Sequence, residues 1–362
     1  MIGRTLFVYF FRRYLVISAQ FFIGVLVISF LVDFTEFSRR VGSLPEYTMG
    51  AGMLVSALRL PLIVQTAIPF IILFAAMSTL MTLNRKYELV IARAAGVSAW
   101  QFLAPLCLAS FLIGVVTIIG INGIAARSLA YAEEIETTFS GPQARSADAQ
   151  RVPWLRQRTD DGVTIIGAKK TARRGRLLSE ATFIRFDKDG AIVERLDARA
   201  AVLGKGQWIL TDVKRLDENG DRSSRARLLV KSDLQPEFVE EQFARPETIP
   251  LFELREKIAS AQSFGLNANA FSMQYHSLLA LPWLLVAMTL IAATVSMRFA
   301  RLGQSASMIL GGVTAGFLLY VVSVLVKAFG SSGFVPPMVA AWSPVVVAAF
   351  FGVTFLLHKE DG

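Results

Sequence analysis

An α-helical membrane protein of six spanning helices, with a β-rich domain inserted between the third and fourth, is the fold class that the sequence predicts. Three observations predict it. Six apolar stretches each approach or exceed the ~20 residues that a helix needs to cross a hydrocarbon core of about 30 Å. The 362 residues are 54% hydrophobic and 18% charged, with a mean hydropathy of +0.50, whereas a soluble domain is roughly 45–50% apolar and about 25% charged. The charge is also segregated. Residues 140–260 are ordinary polar sequence, and long stretches of 1–130 and 270–357 are nearly free of charge.

The expected spans are Phe7–Val32, Leu60–Leu83, Phe102–Ile124, Tyr275–Met297, Ala306–Ala328 and Met338–Leu357, and none contains Asp or Glu. A charge at a span's centre costs roughly 2.5–3.5 kcal/mol on insertion, so their exclusion carries weight. Arg12 and Arg13 interrupt the first run near its start. That run is too long for a signal peptide, and no small-residue cleavage site follows it.

Lys and Arg near the span ends set the orientation. Arg4, Arg12 and Arg13, then Arg85, Lys86 and Arg93, then Arg298 and Arg301, and finally Lys359 all fall on one side if the chain crosses six times. On the other side, residues 33–56 offset Arg39 and Arg40 with Asp33, Glu36 and Glu46, and 330–337 carry no charge. Both termini are therefore expected in the cytoplasm. The insert lies on the far side, the periplasm if the cell is Gram-negative. The net charge of +9 reflects topology and the insert rather than nucleic acid.

The insert reads as β. Short apolar runs at Val163–Ala168, Ala181–Phe186, Ala191–Leu196, Ala198–Leu203, Gln207–Val213 and Ala226–Val230 alternate with turns. Those turns are Asp160-Asp161-Gly162, Asp187-Lys188-Asp189-Gly190, Gly204-Lys205-Gly206 and Asp217–Asp221. Asp-Gly between β-rich runs is a hairpin signal, and several short strands at regular spacing suggest a sandwich, a jelly roll or an open barrel. Helical periodicity returns at Leu251–Gln262, opened by Pro250. The lone cysteine, Cys107, lies within span three, so the insert folds without a disulfide; Cys107 reads as a small packed hydrophobe.

Catalytic chemistry is scarce. The two histidines, His276 and His358, stand at membrane edges without a metal-ligand partner at helical spacing. No G-x-x-x-x-G-K-[ST] phosphate loop is present, because Gly204-Lys205-Gly206 lacks the upstream glycine and the following hydroxyl. The chain is expected not to be an enzyme, to hydrolyse no ATP itself and to hold no cofactor. No nucleophile-elbow pattern occurs. The spans contain no paired carboxylates of the kind proton-coupled carriers use, and they do not divide into inverted halves.

Three polar features remain. The first is the loop Asn84–Gly96, in which Leu89, Ile91, Ala92 and Ala95 lie near helical spacing with charges opposite and Gly96 fits a C-cap. It reads either as an amphipathic helix lying on the membrane or as a coupling helix for a cytoplasmic partner, with the Glu88 carboxylate offered to an arginine. The second is Arg39, Arg40, Arg59 and Arg127 at far-side span ends. They either snorkel to headgroups or solvent, or recognise a phosphorylated amphiphile, for which an arginine fork is suited. The third is Pro61, Pro69, Pro282 and Pro344 with Gly311, Gly312 and Gly316. Such residues permit kinks and close helix approach, and they are also common in static bundles.

Leu31-Val32-Asp33 with Arg39-Arg40, Leu60-Pro61-x-x-Val64-Gln65 with Pro69, Arg85-x-x-Glu88-Leu89-Val90 with Ala95-Gly96, and in the insert Thr182–Phe186 with Trp208-Ile209-Leu210 resemble, in their order and spacing, the LptF/LptG (YjgP/YjgQ) family of permeases, the last two its strand, turn and Trp-containing pattern. Gly333-x-x-Pro336-Pro337 with Ala341-Trp342-x-Pro344 resembles the loop before span six and points to the LptG branch. Phe30 stands where a member of that family carries a further lysine at the outer end of span one, a departure for which Arg59 is the compensating cation.

The resemblance implies a permease subunit of an ABC transporter in the cell inner membrane. Such a subunit extracts lipopolysaccharide and passes it to a bridge of jellyroll domains. Its implied partners are an LptF-like permease, an LptB-like ATPase dimer that uses the ATP, and an LptC-like jellyroll protein. The implied domains are 1–135 (helices one to three, with a coupling helix at about 84–97), 136–248 (a periplasmic β-jellyroll) and 249–362 (a connecting helix and helices four to six). The implied lipopolysaccharide phosphate contacts are Arg39, Arg40, Arg59 and Arg127, and the ATPase-coupling residues are Arg85, Glu88 and Arg93. Two other readings stay open: the sister permease of the same complex, and a non-transport scaffold with a periplasmic β domain.

Overall fold

The structure, a computed structural model, describes residues 3–43, 47–139, 155–159, 162–172, 177–187, 191–204, 206–217, 220–232, 245–263, 267–296 and 306–360. The chain divides into a helical unit, Met1–Glu133 with Pro246–Gly362, and a second unit, Glu134–Arg245.

Six helices of the described residues are long and apolar enough to cross a membrane. They are α1 (Arg4–Val41), α2 (Met49–Arg85), the continuous run of α4 (Ala99–Val116) with α5 (Asn122–Phe139), α7 (Asn269–Ser296), α8 (Ala306–Ser332) and α9 (Pro337–Glu360). Two shorter helices are α3 (Glu88–Ala94) and α6 (Leu251–Ser263). With 38 residues, α1 is about 57 Å long at 1.5 Å per residue, nearly twice the hydrocarbon thickness. It therefore carries Asp33, Glu36, Arg39 and Arg40 beyond its apolar run, on a helical extension.

Close approach in the bundle depends on small residues. A Cβ at Gly312 would meet Met77 Cε at 2.8 Å, and one at Gly316 would overlap Leu73 Cδ2, so α8 packs on α2 through this pair. Gly311 faces open space. A Cβ at Gly114 of α4 would fall 2.5 Å from Pro282 Cα of α7. The prolines expected inside spans are helical, and Pro105 of α4 joins them. Between α4 and α5, Thr117–Ile121 form a π-helical turn. The Thr117 hydroxyl there donates to the Ile113 carbonyl at 2.8 Å. Hydroxyls also knit three spans together. Tyr14 of α1 is fully buried, with its hydroxyl 2.8 Å from Ser110 Oγ of α4. Ser110 Oγ is 2.6 Å from Thr289 Oγ1 of α7, which donates to the Leu285 carbonyl at 3.0 Å.

The second unit is a six-stranded antiparallel sheet in consecutive order: β1 (Leu155–Thr159), β2 (Gly162–Ala172), β3 (Leu177–Phe186), β4 (Ile192–Gly204), β5 (Gln207–Asp217) and β6 (Arg222–Lys231). A flat sheet would place β1 and β6 about 24 Å apart at 4.8 Å per strand. Instead Gln157 Nε2 of β1 donates to the Lys231 carbonyl at 3.0 Å, and Ser232 Oγ donates to Gln157 Oε1 at 2.8 Å. The sheet is therefore curled upon itself, as in a jellyroll-like domain.

A crease makes the curl possible. The pairing ladders omit Lys169, Glu180, Arg199, Asp212 and Ala226, which lie on one row across β2 to β6. Glu180 and Asp212 adopt left-handed backbone, with φ of 51° and 53°. Side-chain direction switches there, from Leu178 to Ala181, from Ala198 to Ala201 and from Leu210 to Val213, so both halves of each strand face one core. Trp208 and Phe183 meet edge to face at 5.8 Å in that core.

The crease also explains a departure from expectation. Ala191–Leu196 and Ala198–Leu203 are one strand, β4, because the parity switch at Ala198–Ala201 imitates a strand break. β1, with sequence LRQRT, carries no apolar alternation and was not anticipated. The expected turn residues Asp160-Asp161, Lys188–Gly190, Lys205 and Glu218-Asn219 lie outside the described residues, as does Met297.

Candidate functional site

Two polar constellations occupy opposite ends of the helical unit. At the end formed by the C-terminus of α1 and the N-terminus of α2, the ring of Phe37 is buried. Arg40 lies 5.8 Å from that ring and Arg59 of α2 lies 5.1 Å from it. A quadrupole with negative faces attracts guanidinium groups, so one buried ring holds two cations from separate helices. Arg59 Nη1 also stands 3.9 Å from Asp33 Oδ1, with both side chains under a fifth exposed. That is an ion pair too long for a direct hydrogen bond. Tyr47 completes the nest: its ring tilts against Phe37 at 6.4 Å and its hydroxyl is 2.6 Å from Ser38 Oγ. Tyr47 lies so close to Gly52 that a Cβ there would come 2.5 Å from the Tyr47 hydroxyl. Arg39 is exposed beside this nest, and Arg127 is exposed on α5. Of the four expected arginines, Arg40 and Arg59 are thus the two joined through a shared partner. Phe30 stacks on Phe34 at 6.1 Å.

At the opposite end, α2 stops at Arg85 and the chain reverses through Tyr87, whose φ is 60°. The seven-residue α3 follows, shorter than the expected 84–97. It ends where Gly96, at φ +83°, lets the Val97 amide donate back to the Ala92 carbonyl at 3.0 Å. Ser98 and Gln101 then form a reciprocal cap that opens α4. Leu89 and Ala92 bury one face of α3, while Tyr87, Val90 and Ile91 are exposed. Arg93 Cζ lies 6.0 Å from the Phe102 ring, and Arg85 is exposed at the end of α2.

Glu88 has partners within the chain. Arg13 Nη1 of α1 lies 3.1 Å from Glu88 Oε1, with side chains 18% and 28% exposed. The Tyr9 hydroxyl donates to Glu88 Oε2 at 3.0 Å, and Arg13 also donates to the Tyr9 hydroxyl. This clasp ties α3 to the first turns of α1. The sequence showed Arg13 only as a topological cation, and nothing in the spacing joined residues 75 apart.

One further polar contact, partly buried, lies within a span. Lys327 Nζ of α8 donates to Gln274 Oε1 of α7 at 3.0 Å, and Gln274 is buried. A cation inside the fifth apolar run was the available signal. Among the described residues, no group of three or more His, Cys, Asp or Glu could hold a metal ion.

The apolar faces are unevenly covered. Only 6% of the apolar window of α1 and 11% of that of α8 is buried within the chain, against 56% for α2 and 61% for α7. The two peripheral spans therefore present most of their apolar surface outward.

Compared with known families, residues 8–358 match the model of the lipopolysaccharide export system permease LptF/LptG. No curated protein matches the chain.

Proposed function

Because the chain belongs to the LptF/LptG family of lipopolysaccharide export permeases, a multi-pass inner-membrane family, we propose that it is the LptG-type permease of an ABC exporter. In this role it extracts lipopolysaccharide from the inner membrane and delivers it to a periplasmic bridge of jellyroll domains. Its partners are an LptF-like permease, an LptC-like jellyroll protein and an LptB-like ATPase dimer that hydrolyses the ATP, so the chain itself needs no cofactor. Both termini are cytoplasmic and the curled sheet, within 136–248, is periplasmic. This orientation rests on the distribution of Lys and Arg. The LptG assignment rests on the loop from Gly333 to Pro344. Gly333 there has φ +88° and a Cβ would overlap Asn269 Nδ2, which suits a fixed glycine.

The observation that carries the transport reading is the pairing of Arg40 and Arg59 over Phe37, beside the largely uncovered apolar face of α1. A multi-acyl lipid with phosphates needs an apolar wall and a cationic rim in one place, and guanidiniums suit phosphate. Arg39 and Arg127, exposed at span ends, are the further candidates for this rim. At the cytoplasmic end, Arg85, Glu88 and Arg93 form the coupling region. With the Glu88 carboxylate already bonded to Arg13 and Tyr9, the exposed Tyr87, Val90 and Ile91 offer the ATPase an apolar face.

The test is lipid discrimination by the reconstituted exporter. The wild type is expected to bind lipopolysaccharide more tightly than its dephosphorylated form. An Arg40→Gln/Arg59→Gln variant is expected to bind the two about equally. Undiminished discrimination in the variant would remove the rim from the mechanism.

A further inference from the structure

A cavity of about 230 Å³ lies between α1 and α2, away from the arginine rim. Its long wall is one stripe of α2: Phe74, Met77, Ser78, Met81 and Thr82, ending at Arg85. These positions recur at helical spacing, so the stripe faces one direction. From α1, Phe21 closes the deep end, stacked on Phe74 at 6.4 Å.

The dimensions and chemistry select a ligand. From Phe74 to Arg85 the helix rises about 16 Å at 1.5 Å per residue. One leaflet of a hydrocarbon core is about 15 Å deep, half of the usual ~30 Å. The wall begins at the Phe74 ring, alternates thioethers and hydroxyls through Met77, Ser78, Met81 and Thr82, and ends at the Arg85 guanidinium, so an apolar chain meets the aromatic end and an anionic phosphate the cationic one. The volume is smaller than the roughly 300–1,000 Å³ of pockets for drug-sized molecules, so it seats a length of one acyl chain below Arg85 and leaves the rest of the lipid outside. Methionine side chains adapt to such irregular occupants. A guanidinium has five donors, so Arg85 keeps capacity for a phosphate alongside an intrachain contact.

We propose that this groove is a binding site for an anionic phospholipid of the cytoplasmic leaflet, with one acyl chain along α2 and its phosphate on Arg85. The leaflet assignment rests on the orientation proposed above; the site itself is independent of the transported lipid. The site adds a role for Arg85 beside coupling, because a lipid bound there touches the last turn of α2 immediately before α3.

The test uses the intact exporter, purified and supplied with equal amounts of phosphatidylglycerol and phosphatidylethanolamine. Lipid retained by the complex is read by native mass spectrometry. Several-fold preferential retention of phosphatidylglycerol is expected, falling to about one-fold in Arg85→Gln and largely kept in Arg85→Lys. A photo-crosslinking residue at Ser78 locates the site, and the adduct is expected to be a glycerophospholipid. The proposal is overturned if the wild type shows no headgroup preference, if Arg85→Gln leaves it unchanged, or if the Ser78 adduct is lipopolysaccharide or protein. None of those outcomes bears on lipopolysaccharide discrimination at Arg40 and Arg59, so the two readings fail separately.

Discussion

Arg13→Gln removes the cation that clasps α3 to α1, and the geometry sets the size of the effect. Arg13 lies 3.1 Å from Glu88, with both side chains less than a third exposed, so solvent screens the pair only partly. A hydrogen bond to a charged group contributes about 1.5–3 kcal/mol to stability. A seven-residue helix has no independent stability in water; α3 is held by burial of Leu89 and Ala92, by its turns and by this clasp. At 1.4 kcal/mol per tenfold, its docked population relative to the undocked one should fall about 10- to 100-fold. Hydrogen exchange at Ile91 to Ala95, with the chain in nanodiscs, reads this directly. Exchange should accelerate by that factor in Arg13→Gln and in Glu88→Gln, with the double variant little worse than either single one, as for two halves of one interaction. Arg13→Lys should recover part of the protection. In the full exporter, Arg13→Gln should leave the ATPase assembled while weakening the link between its activity and lipid export. Wild-type exchange rates in Arg13→Gln would show that the clasp does not hold α3, and the reasoning would fail.

Four more outcomes are expected. Trp208→Ala opens a cavity in the core of the curled sheet and should destabilise that unit by about 3–5 kcal/mol, seen as proteolysis within 155–231 at lower urea; unchanged resistance would contradict the core assignment. Tyr14→Phe should cost only about 0.6 kcal/mol, the average for an interhelical hydrogen bond in a membrane, because Ser110 and Thr289 keep their mutual bond. Ser110→Ala breaks both links and should lower the melting temperature of the solubilised chain further than Tyr14→Phe does. Gly316→Leu should push α8 off α2, since even a Cβ overlaps Leu73; it is expected to lower the melting temperature more than Gly311→Leu, whose Cβ meets nothing.

The spans were legible because charge is excluded from lipid regardless of tertiary context. Their ends were less so. The first helix runs from Arg4 to Val41 rather than over 7–32, since the helix continues into water where hydropathy no longer reports it. Strand identity survived in Ala181–Phe186, where alternation is clean, and in Gln207–Val213, whose apolar run carries across the switch at Asp212; it failed at the crease within β4, where the switch reads as a break. The curl itself rests on positive φ at Glu180 and Asp212, which neither residue type signals in the sequence. At the candidate sites, residue type indicated Arg40, Arg59 and Glu88. Their partners Phe37, Arg13 and Tyr9 emerged only from packing, because an aromatic or an arginine at a span end has an ordinary topological explanation.

Depletion of this chain in its host tests the central claim most directly. Newly made lipopolysaccharide is followed at the cell surface and in inner-membrane fractions, in a host without a second copy. Accumulation in the inner membrane, with loss at the surface, is the predicted result. Unchanged surface lipopolysaccharide after the chain is gone would contradict the export function and favour a scaffold whose β domain binds envelope proteins.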